Sequence, residues 1–193
     1  MKRLWIVLIL VGMLMAAAAC QSSAPQASGQ QQPRQDDSFF VLNAYKDASG
    51  RFTMDVPMKW NVQPQRLAQD NMKVATAFVG PDGFASVTQF DFGKAPGEQA
   101  DQLLDAFLQV TGVTQNKDYR QLARLPVSPT QVMIEMEYTN NQGRALHSLG
   151  QLRVDGSVIS LVSVNFNQDV WPRAVGAAKR MVDSYTFTDN KGG

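Results

Sequence analysis

Cys20 is the single cysteine of the 193-residue chain and His147 its single histidine, and between them they bound the chemistry on offer. One thiol forms no disulfide within the chain. One imidazole excludes His-rich metal sites and any mechanism that passes a proton between two imidazoles. By strand alternation His147 shares a face with Leu149, and a connecting loop of odd length sets it opposite Glu135. A Glu135–His147 pair can touch a divalent metal, but two ligands are an incomplete set. The plainer reading is a packed or hydrogen-bonded histidine. Ser148, Ser160 and Ser163 lie in strand patterns without a Gly-x-Ser-x-Gly turn, and a hydroxyl without a positioned base is unreactive. Asp36–Asp37 falls in a polar tract, and Glu135 with Glu137 on one strand face, where a solvated role is simpler than acid–base work. No glycine loop of the phosphate-cradling kind appears. No catalytic residue, metal site or cofactor is assigned, and the chain reads as a non-enzyme.

The thiol of Cys20 has a different use. Met1-Lys2-Arg3 is positively charged, and from Leu4 to Ala19 every residue is apolar or glycine, ending in four alanines before the cysteine. That layout is a secretory signal, and the run is shorter than the roughly 20 residues a spanning helix needs. Small residues before a solitary Cys resemble the lipobox of bacterial lipoproteins, in which the thiol takes a diacylglycerol and the Cys becomes the mature N-terminus. Ala17 departs from that pattern, where Leu is commonest. The alternative is an ordinary signal cut after Ala-x-Ala, leaving a free thiol. Gln21 rather than Asp follows Cys20, which implies the inner leaflet of the outer membrane in a two-membrane cell; in a cyanobacterium the expected place is the thylakoid lumen.

Residues 21–38, QSSAPQASGQQQPRQDDS, hold no large apolar side chain and read as a disordered tether. From residue 39 to 193 the composition is that of a single globular domain. Removing residues 1–19 takes Lys2 and Arg3 from 18 basic residues against 17 acidic ones, leaving a formal charge of −1. Basic residues are scattered singly, so nucleic acid is excluded as a partner.

Within the domain, Phe39–Tyr45, Phe52–Val56, Val74–Val79 and Phe84–Phe92 read as strands, the last two joined at Gly80-Pro81-Asp82-Gly83. Val132, Ile134, Met136 and Tyr138 alternate with polar neighbours, and Asp155-Gly156 turns Ala145–Val154 back into Val158–Phe166. A three-strand antiparallel meander follows, with Leu152 opposite Ile159, Leu149 opposite Val162 and His147 opposite Val164. Two helices are predicted. Ala100, Leu103, Leu104, Phe107 and Leu108 form one apolar stripe ending at Gly112; Trp171, Ala174, Val175, Ala178, Met181 and Val182 form the other, with Asp169 as its cap. Both sheet faces are partly apolar and need cover. The expected fold is α+β, an α-β-α sandwich with a central antiparallel sheet covered by helices on both faces.

Gly50-Arg51-Phe52-Thr53-Met54-Asp55-Val56-Pro57-Met58-Lys59-Trp60 resembles the G-F-x-Φ-x-x-P-x-x-W opening of the PsbP-like superfamily, with Arg51 inserted. Gly143-Arg144, His147, Asp155-Gly156, Trp171 and Met181-Val182-Asp183-Ser184-Tyr185 resemble its Arg/His hairpin, turn, helix-opening Trp and V-x-S-F ending. The similarity covers roughly residues 43–188, while the stretch from Asp70 to Thr130 matches only in its order of elements. The superfamily includes PsbP subunits of photosystem II, Mog-type Ran-binding proteins and DcrB-like lipoproteins. The resemblance implies the same sandwich and a non-catalytic protein that binds, stabilises or assembles a partner, here from a lipid anchor. Its more specific forms are a photosystem II subunit, if the organism is an oxygenic phototroph, and a groove for a hydrophobic client or lipid lined by residues such as Met54, Met58, Met72, Met133 and Met136. An unrecognised enzyme is the remaining reading. Trp60 and Trp171 are read as core anchors, and Arg173, Lys179 and Arg180 as solvated helix surface or a docking face.

Overall fold

The computed structural model describes residues 40–65 and 71–188, so the signal segment, Cys20 and the tether lie outside the described residues. The elements run β1 (Leu42–Lys46), β2 (Phe52–Pro57), β3 (Asn61–Pro64), β4 (Met72–Val79), β5 (Gly83–Asp91), α1 (Ala100–Val110), β6 (Lys117–Ser128), β7 (Gln131–Thr139), β8 (Ala145–Asp155), β9 (Val158–Asn167), α2 (Trp171–Ser184) and β10 (Thr186–Phe187). Seven strands form one antiparallel sheet in the order β3-β4-β5-β9-β8-β7-β6, and β1, β2 and β10 form a small second sheet. The predicted meander is its β7-β8-β9 portion.

Period-two patterning sorts side chains onto two faces, and each face builds its own core. On one, Val74, Phe78, Ala85, Val87, Leu149, Val162, Val164 and Phe166 pack against α2 and the small sheet. On the other, Val132, Ile134, Met136, Tyr138, Leu146, Leu152 and Ile159 pack against Ala100, Leu104 and Leu108 of α1. The fold is therefore α+β with a helix on each face, as expected. The cover is unequal. Helix α2 packs on β8, β9 and β2, whereas α1 packs on β6, β7 and β8. Beyond α1 the second face carries small or hydroxyl side chains, Ala75, Ala77, Ser86, Thr88 and Ser163, none of them buried. Little is gained by covering such residues, since apolar area drives burial.

The motif residues at the two chain ends meet in one place. Phe52, Met54, Val56, Trp60, Met181, Val182 and Tyr185 all belong to the core beneath α2. Ser184 accepts a hydrogen bond from the Asp55 amide (2.8 Å) and donates to the Met181 carbonyl (3.0 Å), joining α2 to β2. Tyr185 pairs with the wholly buried Gln89 (2.8 Å). Trp60 lies against Phe166 and over Gly80, where a Cβ would sit 2.1 Å from the indole nitrogen. Met54, Met72 and Met136 are buried gap-fillers, while Met58 is exposed.

Several expectations are corrected. The β8–β9 pairing sets Asp155 against Val158, so Leu152 faces Leu161, Leu149 faces Val164 and His147 faces Phe166. Gly156, at φ +63°, and Ser157 form the turn, shifting the register by two from the Asp155-Gly156 reading. A slip of two leaves every side chain on its face, which is why the layers were still legible. Asp169 does not cap α2; Val170 holds that position, with no side-chain cap. Strands β3, β6 and β10 were not expected. Strand β6 is an edge strand whose register against β7 shifts at Lys117/Arg120, Gln121/Ala123 and Pro126/Ser128, and such bulges erase the alternation that marks a strand. Asp118 sits in the first of them at φ +58°, with its carboxylate bonded to the Thr139 hydroxyl (3.0 Å).

Candidate functional site

His147 projects from β8 onto the face that α2 only partly covers. Strand pairing places Glu137 directly opposite it and Glu135 opposite Leu149, correcting the expected Glu135–His147 register. Both carboxylates still reach the ring. Glu135 Oε1 lies 2.6 Å from Nε2 and Glu137 Oε1 lies 3.1 Å from Nδ1. Glu137 is also bonded by Arg120 of β6, whose side chain is two-thirds exposed. Trp171, the first residue of α2, stacks on the imidazole at 3.8 Å between centroids and 11° between planes. Trp60 is a buried member of the core, as expected, and Trp171 is half-buried, packed against the margin of that core and over the histidine.

The cluster ties three elements together, β7 through its carboxylates, β8 through the imidazole and α2 through the indole. A nitrogen that carries a proton donates to its carboxylate. With both ring nitrogens so engaged and the His147 side chain only 8% exposed, the ring is not presented to a substrate. Ser148 points to the opposite face and is buried, so it forms no nucleophile–base pair with its neighbour. Among the described residues no three His, Cys, Asp or Glu side chains converge as a metal site.

Beside the cluster, at the ends of β8 and β9, Arg144, Ala145, Asn167, Gln168 and Asp169 line an open hollow of about 510 Å³. Asn167 at the end of β9 and Gln168 in the turn into α2 reach Arg144 only through the pairing of β8 with β9, which no local pattern announces. On the other side lies a shelf formed by β6 and β7. Ala123 and Leu125 are exposed there, Met133 and Glu135 half-exposed, and Leu125 pairs with Met133. Leu122 and Val127 are exposed along the same strand. On the far face Arg124 is clasped by Asp101 and Asp105 of α1, which raises its already high pKa through those hydrogen bonds.

No known family's sequence profile matches the chain, and no curated protein matches it in sequence. Solved structures do. The solution structure of cyanobacterial PsbP (CyanoP) from Synechocystis superposes with a TM-score of 0.53 at 13% identity, covering 83% of this chain and 100% of that one. The crystal structure of the Saccharomyces cerevisiae Ran-binding protein Mog1p gives 0.51 at 12% identity, covering 78% and 97%. The chain has the PsbP/Mog1-like fold. At these identities the likeness is one of fold alone. Among the described residues no helix is long and apolar enough to cross a membrane.

Proposed function

We propose that this protein is a non-catalytic binding protein, anchored by a lipid on Cys20 outside the cytoplasm, that holds a protein partner against the β6–β7 side of its sheet. The observation that carries this reading is the exposure of Leu122 (45%), Leu125 (60%) and Val127 (50%) on a single edge strand. Exposed apolar side chains gathered along one edge strand are the kind of surface that an interaction site uses. The uncovered part of the sheet face next to it adds Ala123 and Met133. One of the similar structures is of a Ran-binding protein, which supports a protein-binding role for the fold.

A photoreactive residue at position 125 in living cells should give a discrete protein adduct, and one at Thr88, on the open part of the other face, should not. Equal labelling from both, or none from 125, refutes the docking face. The anchor is tested separately by mass spectrometry of the mature N-terminus. A diacylglycerol-modified Cys20 is expected, held in the membrane by about 0.8 kcal/mol per buried methylene. An unmodified Cys20 refutes it.

A further inference from the structure

We infer that the shelf between α2 and β6 receives an amphipathic α-helix of the partner, lying beside α2, with its apolar stripe on Leu125, Met133 and Trp171 and acidic residues along its flanks. This rests on the binding-protein reading and names the element that binds.

Layer geometry supports a helix. Strands in a sheet are about 4.8 Å apart, and packed helices stand about 8–10 Å apart. Helix α2 lies over β8 and β9, so a helix centred over β6 and β7 would be displaced by two strands, or about 10 Å. Among the described residues the uncovered width is therefore about that of one helix. Its floor is Met133 and Glu135 of β7 with Ala123 and Leu125 of β6, and its wall begins at Trp171. Val175 and Lys179 follow Trp171 at one and two helical turns, with Val175 half-buried and Lys179 exposed.

Charge sets the flanks. On the shelf side of α2, Lys179 is exposed two turns beyond Trp171, whereas Arg173 and Arg180 stand about half a turn around the helix from Trp171; on the opposite border Arg120 is exposed and bonded to Glu137. Glu135, already bonded to His147, is the acid of the floor. A helix with carboxylates on its flanks meets Lys179 on one border and Arg120 on the other. Strand addition to the β6 edge is disfavoured by the same structure: three register shifts interrupt its ladder, and Pro126 offers no amide.

The test uses the full-length protein in its own cells, with a photoreactive residue at 125, at 175 or at 88, and maps the attached residues on the partner by mass spectrometry. Adducts from 125 and 175 should fall on one acidic segment at spacings of three, four and seven residues. Lys179→Glu should lower their yield roughly threefold and Arg180→Glu should leave it unchanged, with the thermal unfolding curve of both variants as in the wild type. Attachment at alternate residues, attachment to a second copy of this chain, or no reaction at 125 and 175 overturns the helix. An adduct from 88 alone would leave a binding protein whose docking face lies elsewhere, and silence at all three positions would remove both readings.

Discussion

Tyr138 offers a direct test of how tightly α1 closes over the sheet. Its ring belongs to the core beneath α1, and its hydroxyl donates to the Asn165 side-chain carbonyl at 2.9 Å. Burial pushes its pKa up to about 12 from an ordinary 10.0. Between those values the unfolded chain loses the phenolic proton while the folded chain keeps it, so this group's stabilisation is complete below pH 10 and is lost as pH rises towards about 12. Two units correspond to roughly 2.7 kcal/mol. Tyr138→Phe removes the titration along with the hydrogen bond, whose loss costs about 1–3 kcal/mol near neutrality because Asn165 loses a buried donor. The variant should therefore be the less stable protein at neutral pH and should draw level with the wild type in strong alkali. Urea unfolding across the alkaline range measures the difference, and groups common to both proteins cancel, including Tyr185, which burial also raises. A gap that stays constant with pH would refute the reasoning, since it would mean that the phenol ionises alike in folded and unfolded chains.

Three further outcomes are expected. Gly83→Ala brings a Cβ to 2.1 Å from the Asn165 carbonyl oxygen in the β5–β9 pairing, so it should cost roughly 2–4 kcal/mol in denaturant unfolding; Gly97→Ala, with nothing within 4 Å, should change stability by less than about 0.5. His147→Leu should destabilise by about 1–3 kcal/mol through the hydrogen bonds lost to Glu135 and to the half-buried Glu137, which keeps only Arg120, and adding Glu137→Met should recover part of that loss. Strict additivity in this thermal-unfolding cycle would mean that the two side chains are not coupled. The pKa of Asp91 is lowered, first by the Gly93 amide and then by the Ser157 hydroxyl, so its contribution is present above the unfolded value of 3.8 and disappears as pH falls through the folded one. Because Asp91 is partly exposed and screened by solvent, the effect should be a few tenths of a kcal/mol. Asp91→Asn should show it as a shallower acid limb, and an identical limb would refute it.

Local patterns carried the parts of the fold that repeat locally. The stripe from Ala100 to Leu108 and the alternation from Val132 to Tyr138 state their own period, because a helix or a half-buried strand must present one side to a core. Two apolar sheet faces in turn called for two helices. The site was only half legible. His147 and Glu135 could be singled out by type, but their meeting depends on pairing between β7 and β8, where Glu137 took the position expected of Glu135. Trp171 read as core because its helix stripe is apolar, and only the angle of α2 across the sheet brings its ring over an imidazole. Strand β6 escaped notice because its edge position removes the need for alternation and its bulges break what remains. The open shelf could not be read from sequence at all. Whether Leu125 is covered depends on how far α2 extends over the sheet, a distance set by packing among segments remote in the chain.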